Sequence, residues 1–413
     1  MIRFIHTADV HFGMENYGKI DSTTGIHTRL LDFHRSFTHC IDYALAHQVD
    51  FFLLSGDVYK TANPTPTQQK LLLQCLLRLY QANIPVVIII GNHDNPVSFG
   101  RAHSMALFSE LPLEGFHVIA IPESFVLNTK SGPVQIVGIP WPTRNSLALS
   151  ERHQHKNAQE ITTYIAQAVH QIVTAYAQQL DPTIPAVLAA HLTVSNGIFS
   201  GSEKRAIYGT DPILLPSQLA IPPFDYVGLG HLHRYQNLNP HGYPALVYSG
   251  SIDRIDFGER KETKGFCDVT IEKKGTTHHE FIEIATRPFI HVEVHLNEQQ
   301  NQTQQICQAL KQHDIKDAIV KIIYHIPSGK KDFVDLNAIQ RACAEALHVV
   351  NIIPIHQQVA RTRRSNLDIS MPFEQLLETY FESKPELKSK KETLIAKIMS
   401  LQEQLELVQE EGE

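Results

Sequence analysis

A layered α/β fold is what this sequence predicts, on three observations. Apolar strands alternate with helical stretches from the N-terminus to about residue 285, the pattern of βαβ units. Some of the apolar runs, such as "VVIII" at 86–90, are apolar throughout rather than alternating, as in parallel strands buried on both faces. The chain has 413 residues, 43% hydrophobic and 19% charged, the composition of a globular protein with a sizeable core. At roughly 150 residues per domain, that length suggests two or three domains.

The elements follow in order. "RFIHTADVH" (3–11) reads as a strand, "LLDFHRSFTHCIDYALAHQ" (30–48) as a helix and "DFFLLSGDVY" (50–59) as a strand. "PTPTQQKLLLQCLLRLYQAN" (64–83) is helical, with its prolines at the start, where a missing N–H costs nothing. Beyond Trp141 come a polar helix at about 155–180, the strand "AVLAAHL", the loop "SEKRAIYGTDP", the strand "DYVGLGHLH" and β-rich sequence to about 285. "TRPFIHVEVHL" (286–296) opens a different rhythm: strand 289–296, helix about 298–312, strand 317–326, helix about 335–347 and strand 349–358. The expected division is therefore 1–285, a small β-α-β-α-β domain at 286–360, and a basic linker ("ARTRRSN") with two helices at 361–413.

Bulk properties exclude several classes. A net charge of −7 carries no global signature of nucleic-acid binding, so any such contact must come from local patches. Cys40, Cys75, Cys267, Cys307 and Cys343 are scattered, with no CxxC, which argues against a disulfide framework or a cysteine zinc site. The N-terminus lacks the apolar core of a signal peptide, and no apolar run approaches the roughly 18 residues of a membrane span; a cytoplasmic location is expected. The 24 histidines invite a search for metal ligands.

That search finds one arrangement repeated. Apolar strands end in Asp9 and His11, in Asp57, in Asn92, His93 and Asp94, in His191, and in His231 with His233. A lone histidine after a strand is more often structural, and an aspartate in a "GD" turn is usually turn chemistry. The recurrence at the carboxyl ends of five strands, where open α/β sheets build their sites, overturns that reading. D-x-H and H-x-H spacing in extended backbone puts both side chains on one side. Glycines 56, 91 and 230 allow tight turns and close approach. A set of carboxylate, amide and imidazole suits Mn, Fe or Zn rather than Ca. Seven such groups are too many for one ion and enough for two, about 3.5–4 Å apart.

D-x-H, G-D, G-N-H-D, H and G-H-x-H in this order resemble the signature of calcineurin-like metallophosphoesterases. "TGIHTRLLDF" (24–33) and "YSGSIDRIDFGERKETKGF" (248–266) narrow the resemblance to the family of SbcD-type nucleases, which includes archaeal and eukaryotic counterparts. The resemblance spans the whole chain. It implies a four-layer α/β sandwich, with 286–360 as a capping domain. It implies that Asp9, His11, Asp57 and His233 hold one metal and Asp57, Asn92, His191 and His231 the other, with Asp57 bridging and manganese the usual ion. It makes His93 not a ligand but the group that contacts the scissile phosphate and protonates the leaving oxygen, with Asp94 orienting its ring. Some relatives carry a further histidine after the G-D motif; this chain reads "GDVYK", so Lys60 either takes over a phosphate contact or that role is absent.

The resemblance further implies a metal-dependent DNA nuclease for break repair, recombination and replication. Such an enzyme is an exonuclease on duplex ends and an endonuclease on single strands and hairpins, working near the nucleoid. Basic candidates for DNA phosphates are Arg29, Lys60, Arg101, Arg144, Lys204, Arg205, Arg254, Arg260 and Lys261, each of which singly reads as a solvated charge. Leu394, Ile398, Leu401, Leu405 and Val408 make an a/d stripe, and Phe373, Leu376, Leu377, Tyr380 and Phe381 a second apolar face. In the family such helices dock on the coiled-coil base of the SbcC-type ATPase, which assigns 367–413 to that partner. Helix 66–82 is apolar on more than one face, and the family dimerises there; a homodimer is expected. The competing readings are a phosphoesterase acting on a nucleotide or lipid-linked diphosphate, and a catalytically silent scaffold.

Overall fold

A computed structural model describes residues 1–96, 101–110, 114–143, 157–201, 211–357, 371–382, 387 and 390–410, the side chains of 158, 382 and 402–410 excepted. Two six-stranded sheets form its centre. Strands β1 (Ile2–Thr7), β2 (Phe51–Leu54), β3 (Val86–Ile89) and β4 (Phe116–Ile119) run parallel, with β13 (Lys264–Lys273) and β14 (Thr276–Ile284) antiparallel on the β1 side, in the order β14-β13-β1-β2-β3-β4. The second sheet is built from β5 (Glu123–Thr129), β6 (Gly132–Ile139), β7 (Ala186–His191), β10 (Tyr226–Gly230), β11 (Gln236–Asn237) and β12 (Ala245–Tyr248), in the order β11-β12-β10-β7-β6-β5. Its four central strands are parallel. Two short strands, β8 (Thr193–Val194) and β9 (Ile213–Leu214), pair separately.

The period-2 alternation of the strands sorts their side chains into three apolar layers. Phe4, Phe51, Leu53, Val87 and Ile89 of the first sheet meet Ile136, Val187, Ala189, Tyr226 and Val247 of the second. On the outer face of the first sheet, Ile5, Phe52, Leu54 and Ile88 are covered by α1 (Thr28–Ala46) and α2 (Pro66–Gln81) through Phe33, Phe37, Leu72 and Leu76. A short α3 (Ala106–Glu110) follows in the chain. On the outer face of the second sheet, Val137, Leu188, Val227 and Leu229 are covered by α4 (Ala158–Gln179) through Ile165, Val169 and Val173. The result is the four-layer α/β/β/α sandwich that the sequence leads one to expect. Strands buried on both faces explain why "VVIII" carries no polar residue. α2 starts where its prolines indicate, with Thr65 and Gln68 forming a capping box and Pro66 in the first turn.

Beyond the sandwich, β15 (Phe289–His295), β16 (Ile319–Ile326) and β17 (His348–His356) form a three-stranded sheet, with α5 (Gln302–Leu310) and α6 (Leu336–Ala342) as connections. Both helices are shorter than the sequence pattern suggests. α5 begins only at 302 because Asn301 Oδ1 accepts the N–H of Gln304 (3.0 Å) while Gln305 folds back on the Asn297 carbonyl (3.0 Å). α7 (Phe373–Glu382) and α8 (Lys391–Glu410) complete the chain. No described helix is long and apolar enough to cross a membrane.

The compact units do not follow the expected boundary at 285. One comprises Met1–Val292, Cys307–Ile322 and Leu336–Ile352; the other comprises Glu293–Ile306, Ile323–Asp335 and Ile353–Glu413. Residues 287–292 belong to the first unit for a visible reason. The Arg287 guanidinium donates to both oxygens of buried Asp32 (2.7 and 2.6 Å), and the Phe289 ring lies 5.2 Å from the Arg29 guanidinium.

Candidate metal centre

The parallel strands of both sheets deliver their carboxyl ends to one edge. Thr7 is opposite Leu54, Leu54 opposite Ile88, and Gly230 opposite His191, so the residues just beyond them share that edge. The loops turn sharply there. Asp9, His11, Asp57 and His231 all have positive φ (50°, 47°, 51° and 107°), a region non-glycine residues avoid and which concentrates at functional sites. Gly56, at φ 95°, carries no Cβ because one would collide with the His191 ring; a Cβ on Gly91 would collide with the Asp57 carboxylate.

Two groups of donors converge around Asp57. In one, His11 Nε2 lies 3.2 Å from His233 Nε2 and 3.7 Å from Asp57 Oδ2, and Asp9 joins His11 and His233 with ligand atoms within 4.8 Å of one another. In the other, Asn92 Oδ1 lies 3.0 Å from His191 Nε2 and 3.1 Å from His231 Nδ1, and His191 Nε2 is 3.5 Å from Asp57 Oδ2. Asp57 thus stands between the groups, as the expected bridging position requires. All seven residues are brought together, and Asp9, His11, Asp57, His191 and His233 are buried.

The ring nitrogens not aimed at the centre are held by acceptors. His191 Nδ1 faces the Ser55 carbonyl at 2.8 Å, His233 Nδ1 the Glu259 carboxylate at 3.0 Å, and His231 Nε2 lies 3.4 Å from Asp211 Oδ2. Such outer partners fix the tautomer and raise ligand basicity. Glu259 is fully buried and also accepts from Ile255 N (2.9 Å), with Lys264 Nζ 2.9 Å away. Although burial disfavours its charge, Lys264 and His233 hold its carboxyl down at about 2, so it is an acceptor only and His233 must donate to it. The His233 lone pair on Nε2 therefore faces Nε2 of His11, a contact that needs a shared cation or proton.

The charge balance makes the same demand. Burial pushes the Asp9 carboxyl up to about 7. At Asp57 burial works the same way but is outweighed by the imidazoles of His191 and His11, which hold the carboxyl well below its usual range. His191 in turn is pushed up to about 9, because Asp57 and Asp9 overcome the desolvation of its ring. A buried cluster that draws positive charge inward and converges lone pairs from carboxylate, amide and imidazole fits divalent metal ions.

His93 differs from the seven. It is exposed, its N–H donates to Asp57 Oδ1 (2.9 Å), and its Nδ1 meets the Lys60 carbonyl at 2.8 Å. Nε2 is the nitrogen left to meet a substrate. His93 and Asn92 line a cleft of about 390 Å³ together with Lys60, Asn63, Asn95 and Arg101. The expectation that Asp94 orients the His93 ring is corrected. Its carboxylate accepts from Gly91 N (3.1 Å), Val58 N (3.2 Å), Tyr59 N (3.2 Å) and Ser104 Oγ (2.9 Å), so it staples the loop after β3 to the loop after β2. The brace on the ring is the Lys60 backbone.

The basic candidates separate as well. Lys60 and Arg101 share the cleft with His93. Arg254 does not point at a substrate; its guanidinium donates to the Glu262 carbonyl (2.8 Å) and to Thr286 and Arg287. Arg29 is fully buried against Asp32 (2.9 Å), and Arg260 caps the Phe257 carbonyl (3.1 Å). Arg144, Lys204, Arg205 and the "RTRR" run lie outside the described residues. Sequence reasoning missed Glu259, Asp211, the Ser55 carbonyl and Trp141, whose ring lies 4.7 Å from that of His231.

The family model of calcineurin-like phosphoesterases matches residues 2–235. The chain is 26% identical over 298 residues to SbcD, the smaller component of the SbcCD nuclease, from Staphylococcus epidermidis, covering 71% of this chain and 72% of that protein. Among solved structures, a dimetal phosphatase from Danio rerio aligns with a TM-score of 0.39 at 10% identity, covering 68% of this chain and 98% of the other.

Proposed function

The chain belongs to the calcineurin-like phosphoesterase family, a phosphoester hydrolase by that membership, and from this premise we propose that it is the nuclease component of a DNA-processing complex. The reading has it act as an exonuclease on double-stranded ends and an endonuclease on single strands and hairpins, in break processing, repair and recombination, alongside an SbcC-type coiled-coil ATPase. The observation that carries it is the seven-donor cradle opening beside His93 into a cleft flanked by Lys60 and Arg101. The similarity to a nuclease component supports DNA over a small phosphodiester.

Asp9, His11, Asp57 and His233 would hold one divalent ion and Asp57, Asn92, His191 and His231 a second, manganese in this proposal. Such ions neutralise the phosphate and lower the pKa of an attacking water. The protein's own part is positional and acid–base. His93, anchored through Nδ1 on the Lys60 carbonyl, presents Nε2 to the leaving oxygen and gives it a proton as the P–O bond breaks. Lys60 and Arg101 supply positive charge along the phosphate backbone.

The remaining assignments rest on surfaces. On α2, Leu73 and Tyr80 are exposed while Leu72, Leu76 and Leu79 face the core, which supports a homodimer through this helix. On α7 and α8, Phe373, Tyr380 and Leu401 are exposed, which supports ATPase docking through 367–413. The deciding experiment is cleavage of end-labelled duplex DNA by the purified chain with manganese, with magnesium and with chelator. Manganese-dependent release of short products is expected. Hydrolysis of a small aryl phosphodiester without any DNA cleavage, with or without the ATPase, would overturn the nuclease reading.

A further inference from the structure

Beside the metal centre lies a second open cleft, of about 440 Å³, lined by Met14, Asn16, Tyr17, Ile255, Asp256 and Phe257 among others. Both walls hang from the metal cradle. Met14 N donates to the carbonyl of His11 (3.1 Å), and Ile255 N donates to Glu259 (2.9 Å), the carboxylate that braces His233.

The lining is unusual for a surface loop. Tyr17 is held at φ 58°, a costly position for a bulky aromatic residue. Its ring is only half-buried, edge-on to Phe257 (5.6 Å) and Phe289 (6.0 Å). Asn16 donates its Nδ2 to the Ile255 carbonyl at 2.7 Å, which fixes the amide. Its Oδ1 is buried with no hydrogen-bond partner among the described residues. An acceptor in that state costs stability unless something donates to it. The Asp256 carboxylate, which accepts from Gly258 N (2.6 Å), makes the cleft hostile to a phosphate. Flat aromatic walls, an unsatisfied neutral acceptor and a repelled anion together suit a heterocycle with an exocyclic N–H.

We propose that this cleft is a nucleobase subsite: it takes the base of a nucleotide adjoining the scissile phosphate, stacked on Tyr17 and Phe257 with an amino group donated to Asn16. The assignment rests on the nuclease reading and deepens it, since it separates a nucleic-acid substrate from a bare phosphodiester.

The test uses the full chain with manganese and a short single-stranded oligonucleotide, either intact or carrying one abasic residue beside the cleavage position. Tyr17→Ala should lower kcat/KM on the intact oligonucleotide about tenfold or more, mainly through KM, as expected for one lost base–aromatic stack, with Tyr17→Phe restoring it. The abasic residue should cost the wild-type chain a similar factor, and the two losses should not add. Additive losses, an equal loss with Tyr17→Phe, or an undiminished Tyr17→Ala would each overturn the subsite while leaving the nuclease intact. A wild-type chain that turns over a small aryl phosphodiester but cuts no oligonucleotide would overturn the nuclease reading itself, and the subsite with it.

Discussion

The two sheets contribute differently to the metal centre. The first supplies every oxygen donor, Asp9, Asp57 and Asn92, along with His11; the second supplies only imidazoles, His191, His231 and His233. They also brace their ligands differently. Carboxylates of the first sheet are held by backbone: Asp9 accepts the His231 N–H with both oxygens at 3.0 Å, and Asp57 accepts the His93 N–H at 2.9 Å. Imidazoles of the second sheet are held by acceptors behind them, Ser55 O, Glu259 and Asp211. Each donor type is given the partner it lacks. The consequence is that charge resides with the first sheet and tautomer control with the second, and mutations on the two sides should fail in different ways.

The sharpest break is Asp57→Asn, which keeps the shape but removes the charge shared by both donor groups. Hydrolysis should fall by about 10⁴-fold or more, the scale of metal-borne charge stabilisation, and the number of metal ions retained per chain should drop when measured after gel filtration. A variant that kept both ions would show that Asp57 is not the shared ligand. His93→Ala should cost about 10²- to 10³-fold, as for a lost general acid, with the retained metal unchanged. Equal loss of metal would make His93 a ligand, as its proximity to His11 and Asp57 permits.

This contrast also explains what the sequence could reveal. The seven donors and His93 were legible because each follows an apolar strand, and strand ends in parallel sheets share an edge. The braces were not. Glu259 sits in "FGERK" among other charged residues, and only the fold brings it beneath His233. Asp94 reads as a partner of its neighbour His93, yet the amides of 58, 59 and 91 needed an acceptor more. Arg254 and Arg29 read as phosphate contacts because a buried arginine looks no different in sequence from an exposed one. The unit boundary shifted for the same reason, through Arg287 finding Asp32 across 255 positions of chain.

On the imidazole side, Glu259→Gln isolates the brace. Glutamine can still accept from His233 but carries no charge, so divalent-metal affinity should weaken about 10–100-fold in a titration, with the fold intact. Unchanged affinity would mean that the backbone alone orients His233. Removing the charge also leaves Lys264 short of one of its two carboxylates, so thermal stability should be read in parallel.

The smallest effect compares two histidines of one strand and its loop. His11, just past β1, is a ligand; His6, inside β1, points between the sheets, where its Nδ1 pairs with the Tyr226 hydroxyl at 3.0 Å. Burial lowers the His6 pKa from 6.5 to about 3, so the folded chain keeps it neutral. The unfolded chain binds that proton at about 6.5, hence between pH 6.5 and 3 it holds more protons than the folded one. Stability from this residue is therefore complete above pH 6.5 and is lost as pH falls, by at most about 1.4 kcal/mol per pH unit. His6→Gln retains a partner for Tyr226 but cannot titrate. Comparing denaturant midpoints of both chains at about pH 7.5 and about pH 5, with chelator present so that metal release does not intrude, should show the wild-type chain losing more on acidification. Parallel losses would place the acid sensitivity in the metal ligands instead, and would mean that the interface between the sheets tolerates a charged His6.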